Sequence, residues 1–220
     1  MKLLRFWTGV VLLGLPVVLT ADAYPMQNNL FSLQMISRQD WNALPPDFDS
    51  VAEHGLYNPV NNLDGWMVYD QPLREILRTV IVHHSALDIR DGPYEIQQLH
   101  FNMKGYADIA YHFVIDAEGN VYEGRDIYAR GAHTGGYNTG SVGVVLLGNF
   151  EVINPTQAQI DALTQLLIVL KQEYQVTHLA GHRDFQPNVT VCPGVNLANQ
   201  LPEIAAMLDY RYGMDGYQGP

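Results

Sequence analysis

The chain has 220 residues, 47% hydrophobic and 16% charged, which suits one globular domain with a short extension and excludes a disordered protein. Its 12 basic and 23 acidic side chains leave a formal net charge of −11. Recognition of phosphate over an extended surface needs a basic face, so general nucleic-acid binding and adhesion to an anionic membrane are excluded, whereas a neutral or mixed-charge ligand is not.

Residues 1–23 read as a signal peptide. Lys2 and Arg5 form a basic start, Gly9 to Leu19 is an apolar run too short to span a bilayer comfortably, and Ala21 and Ala23 offer small residues for cleavage. No cysteine follows to carry a lipid, so the expectation is an exported protein, periplasmic or extracellular, without a stable membrane anchor. Residues 24–35 read as a linker, 36–212 as the domain and 213–220 as a flexible tail. Residues 44–72 are rich in Asn, Asp, Gly and Pro without a sustained period, and read as a long surface excursion.

From Thr79 the pattern sharpens. Thr79-Val80-Ile81-Val82-His83 is a β-branched run that predicts a buried strand. Ile96, Leu99 and Met103 recur at helical spacing, with Gly105 placed to end that helix. Tyr111 to Ile115 and Val121 to Glu123 read as strands joined through Glu118-Gly119-Asn120, and Val142 to Leu147 as another apolar strand. Asn154 is expected to cap a helix, with Pro155 at its first position and Leu163, Leu166, Leu167, Leu170 and Tyr174 on one face. Thr177 to Ala180 predicts a short strand, and 197–211 a last helix kinked at Pro202. Strands interleaved with helices indicate an α/β domain with a mixed central β-sheet.

An exported protein usually spends its cysteines in disulfides, and this one has only Cys192. A lone thiol outside the cytoplasm is an oxidation liability unless a metal occupies it. Catalytic zinc takes three nitrogen or sulfur ligands and keeps one position open. His83 and His84 end a predicted strand, His182 follows another in Gly181-His182-Arg183-Asp184, and Cys192 stands ten residues further on in Cys192-Pro193-Gly194. Strand ends are where α/β sites gather, so one of the His83–His84 pair, His182 and Cys192 form a candidate Zn2+ centre.

Val80-Ile81-Val82-His83-His84-Ser85-Ala86, Asp108-Ile109-Ala110-Tyr111-His112-Phe113, Gly119-Asn120-Val121-Tyr122-Glu123-Gly124-Arg125, Gly131-Ala132-His133, Ser141-Val142-Gly143-Val144-Val145-Leu146-Leu147-Gly148 and Cys192-Pro193-Gly194 resemble the N-acetylmuramoyl-L-alanine amidase family, which includes the peptidoglycan recognition proteins and the phage lysozyme-type amidases. Ser37-Arg38 with Trp41 resembles the entry motif of the recognition proteins, so the match runs from about residue 36 to 210.

The resemblance implies the peptidoglycan recognition protein-like amidase fold and zinc held by His83, His182 and Cys192. It implies a catalytic Tyr111, Thr190 as a neutral donor to the developing oxyanion, and His133 and Asn138 on a substrate groove. Arg183 and Asp184 are expected to orient His182, or to close the loop by a salt bridge. The implied reaction is hydrolysis of the amide joining N-acetylmuramic acid to L-alanine in peptidoglycan, by a monomer. The alternative is a peptidoglycan-binding receptor of the same fold without hydrolysis. A closed structural zinc site would need a fourth ligand, such as His84 or His133.

Overall fold

The computed structural model of the protein describes residues 33–50, 52–53 and 65–217. The expected signal peptide, most of the linker, residue 51, residues 54–64 and the last three residues lie outside the described residues. Among the described residues seven strands form one sheet: β1 (Met35–Ile36), β2 (Thr79–His84), β3 (Phe113–Ile115), β4 (Val121–Glu123), β5 (Ser141–Leu146), β6 (His178–Gly181) and β7 (Arg211–Tyr212), in the order β1-β4-β3-β5-β2-β6-β7. Only β3 and β4 pair antiparallel; every other neighbour in the sheet is parallel. The mixed sheet expected from the sequence is therefore present, and mostly parallel.

β2 and β5 are buried along their whole length, which is why they read as continuous β-branched runs rather than alternating ones. One face of the sheet packs Val80, Val82, Val144 and Leu146 against α3 (Gln157–Tyr174), through Leu163, Leu166, Leu167 and Leu170. The opposite face packs Val114 and Val145 against Ile96 of α2 (Pro93–Leu99). That helix runs on as a π-helical turn (His100–Lys104) and stops at Gly105, whose φ of 67° lies in the left-handed region. Short helices α1 (Leu73–Ile76), α4 (His182–Phe185), α5 (Val195–Ala198) and α6 (Leu201–Met207) complete the domain.

Two expectations need correction. α3 is capped by Thr156, not Asn154: the Thr156 hydroxyl accepts the Gln159 amide at 3.1 Å and the Gln159 side chain accepts the Thr156 amide at 3.0 Å. The last helix is two helices, and Pro202 lies in the first turn of α6, where its missing N–H leaves no hydrogen bond unmade. The described ends of the 44–72 segment are mostly exposed, and Ser50, Glu53, Trp66 and Tyr69 anchor them to the domain by their burial. Glu53 holds the fully buried Arg125 by two contacts, at 2.7 and 3.0 Å, and the Arg125 guanidinium lies over the Trp66 ring. Tyr217, in the segment expected to be a flexible tail, packs edge-on against Tyr137 and Phe185.

Candidate metal centre

Alternation along β2 sends its two terminal histidines to opposite faces. His84 lies on the α3 side, where its Nδ1 accepts the Phe150 amide at 3.2 Å. His83 lies on the other side, with ring centroids 4.6 Å from His182 and 5.0 Å from Tyr111. β6 delivers His182 as the first residue of α4, with Gly181 as the cap. The loop after α4 returns Cys192 to the same place, and its carbonyl accepts the Arg183 amide at 2.7 Å. Gly181 permits this closure, since a Cβ there would come within 2.8 Å of Pro193. One donor atom from each of His83, His182 and Cys192 then lies within 4.8 Å of the others.

The spacing and chemistry of these donors fit a zinc ion. His83 Nδ1 stands 3.5 Å from Cys192 Sγ, against about 3.6 Å for the nitrogen–sulfur edge of a tetrahedral zinc site. Burial pushes the Cys192 thiol up to about 12, opposed by the hydrogen bond its sulfur accepts from the His84 amide. Such a thiol is a poor nucleophile without a cation beside it, and a good soft ligand with one. Burial, followed by the neighbouring His133, His182, His84 and His100, holds His83 far below the usual imidazole range, in the neutral form that ligates metals.

His83 Nε2 stands 3.1 Å from His133 Nδ1 and 3.4 Å from the Thr134 hydroxyl, so its second nitrogen is held as ligating histidines require. The His133 ring lies over Gly131 and Gly143; a Cβ at either would collide with it. Asn138 Oδ1 accepts the amides of His133 and Thr134 at 2.9 and 2.8 Å. His133 and Asn138, expected on a substrate groove, are thus both buried and brace the centre, while also lining the cavity beside it.

The Tyr111 phenol is raised by burial, then by the charges of Cys192 and Tyr106, and stays protonated. The Thr190 hydroxyl accepts the Cys192 amide at 3.1 Å, which fixes the cysteine's backbone. Neither the Arg183 nor the Asp184 side chain is bonded to the His182 ring. Asp184 accepts the Gly181 amide at 2.8 Å and the Tyr212 hydroxyl at 2.7 Å. The partner of His182 is Gln186, whose Oε1 lies 3.0 Å from Nε2, while its Nε2 donates to the Gly135 carbonyl at 3.0 Å. Sequence reasoning missed Gln186, although its i+4 spacing from His182 was visible. The adjoining cavity, about 350 Å³, is walled by Ala52, Glu53 and Tyr106 on one side and by His133, His182 and Gln186 on the other.

Fold and site together define an α/β domain with a candidate metal centre at the carboxyl ends of its parallel strands. The chain belongs to the N-acetylmuramoyl-L-alanine amidase family, whose pattern it matches over residues 73–195. It is 39% identical over 133 residues to an endolysin of Klebsiella phage KP32, covering 56% of this chain and 85% of the endolysin. Identity to peptidoglycan-recognition protein SD of Drosophila simulans is 30% over 199 residues, 86% of this chain and 90% of the relative. Among solved structures, the N-acetylmuramoyl-L-alanine amidase LysC from Clostridium intestinale superposes with a TM-score of 0.56 at 32% identity, covering 61% of this chain and 87% of that one.

Proposed function

We propose that the protein is an exported zinc-dependent N-acetylmuramoyl-L-alanine amidase that hydrolyses the amide between N-acetylmuramic acid and L-alanine of the peptidoglycan stem peptide. The observation that carries this reading is the cluster of His83, His182 and Cys192 opening beside a cavity, in a chain of the amidase family. Export rests on the basic, apolar and small-residue pattern of residues 1–23.

Zinc bound by these three side chains would polarise the scissile carbonyl and bring the pKa of water to about 7. The protein's own groups do the rest. Tyr111, kept protonated by its surroundings, donates its O–H to the carbonyl oxygen as negative charge gathers there. His133 and Thr134 fix the orientation of the His83 ring, and Gln186 that of His182. Thr190 holds the backbone of Cys192 and can turn its hydroxyl hydrogen toward the same oxygen. Glu53, the acid lining the cavity, has both oxygens bonded to Arg125 and one also to the Ala107 amide, which makes it a wall rather than a base.

The test is Cys192→Ala, assayed for release of stem peptide from purified sacculi and for zinc content. The wild type should release peptides with a free L-alanine amino terminus and carry one zinc per chain. The variant should lose both properties. Full activity in the variant would overturn the mechanism, and a wild type that binds sacculi without cutting them would assign the protein to the receptors.

A further inference from the structure

At the opposite end of the sheet from the metal centre lies a second cavity, of about 560 Å³. It is formed where β2, β6 and β7 begin, about 16 Å along β2 from the histidines. Of the chain's 12 lysines and arginines, four line it: Arg74, Arg78, Lys171 and Arg211. In a chain of net charge −11 this concentration runs against the overall charge balance. Among the described residues the Arg78 guanidinium is bonded only to the carbonyls of Arg74, Glu75 and Leu77, and no carboxylate pairs with it. Lys171 binds the Leu208 and Asp209 carbonyls and reaches the Asp209 carboxylate at 3.3 Å, the one acid on the cavity wall. Arg74 and Arg211 form no ion pair among the described residues.

A second observation points to a ligand. His178, only 6% exposed, lines the cavity, and its Nδ1 is bonded to the Thr177 hydroxyl at 2.8 Å. Its Nε2 is buried without a hydrogen-bond partner, and so is the hydroxyl of Thr79, its register partner on β2. A buried polar atom left unbonded is costly, and one on a histidine that lines a cationic cavity points to an acceptor there. Arginine forks match the oxygens of phosphate, and a concave basic site focuses its field on a small anion.

We propose that this cavity is a binding site for a small phosphate oxyanion, inorganic phosphate or a phosphomonoester, separate from the metal centre. The acidic remainder of the surface repels an extended polyanion or an anionic bilayer, so the site takes a compact ligand. The experiment is calorimetric titration of the zinc-loaded protein with inorganic phosphate and with glycerol 3-phosphate at low salt, beside co-sedimentation with phosphatidylglycerol vesicles. Saturable binding with a Kd of about 1 mM or tighter is expected for both phosphates, weakened at least about tenfold in the Arg74→Gln/Arg211→Gln double variant. Both positions are exposed, and zinc content and circular dichroism of the variant confirm its fold. No saturable binding, equal binding by the double variant, or binding of vesicles without affinity for phosphate would each overturn the proposal.

Discussion

Gln186 does two jobs with one side-chain amide: it steadies the His182 imidazole and ties it across the cavity to the Gly135 carbonyl. Gln186→Leu keeps the bulk and removes both bonds. Partners of this kind typically contribute about 10–100-fold in metal affinity, and a fall in that range is expected in zinc competition against a chromogenic chelator. Unchanged affinity would show that α4 alone positions His182. At this scale the sequence was readable where chemistry is exclusive and opaque where it is shared. Cys192 stood out because a chain expected to be exported, with one cysteine, has few uses for it. His83 could not be separated from His84 by spacing, since alternation says only that the two diverge; the Phe150 amide that claims His84 is 66 residues away in the chain. Gln186 had the right offset, but glutamines four residues from a histidine are common and carry no mark of their own.

β2 and β5 were legible for a physical reason: strands covered on both faces need apolar side chains at every position, and such runs have few other readings. The anchors of the 44–72 segment were not, because what buries Glu53 and Trp66 is a partner far along the chain. Glu53 and Trp66 close on Arg125, a residue bonded as well to the carbonyls of Asp108, Ile109 and Arg130. Breaking a buried ion pair usually costs about 3–5 kcal/mol, since the orphaned charge is left out of water. Here three carbonyls still solvate the guanidinium, so Glu53→Ala is expected at the lower end, about 3 kcal/mol, read from urea unfolding. A loss below about 1 kcal/mol would mean that water replaces the carboxylate at no great cost. The cap of α3 teaches a similar lesson: Asn154 and Pro155 are good start signals, yet the reciprocal pair Thr156 and Gln159 satisfies two amides at once and wins.

The molecule as a whole carries a store of buried neutral histidines, and this sets its tolerance of acid. Burial, then the charges of Arg125 and Lys104, lowers His100 to about 3. Burial lowers His112 to about 4, against the pull of the Ala129 carbonyl. Each uses its Nδ1 to accept a backbone amide, from Ala110 and Gly143 respectively, so neither can be protonated in place. In the unfolded chain both titrate near 6.5. Their contribution is complete above that pH and drains away as pH falls toward 4, because the unfolded state takes up protons that the folded state refuses. At pH 5 the loss is about 2 kcal/mol for each, and a urea midpoint that stayed constant from pH 7 to pH 5 would contradict it. One further consequence concerns how such a protein can change over evolutionary time. All three candidate metal donors fall within the family's shared stretch, 73–195, whereas Ala52 and Glu53, which wall the cavity beside them, come from outside it. Part of the doorway's gauge is therefore set outside the stretch that carries the chemistry, and a lineage can re-cut the approach at exposed Ala52 while inheriting the donors intact.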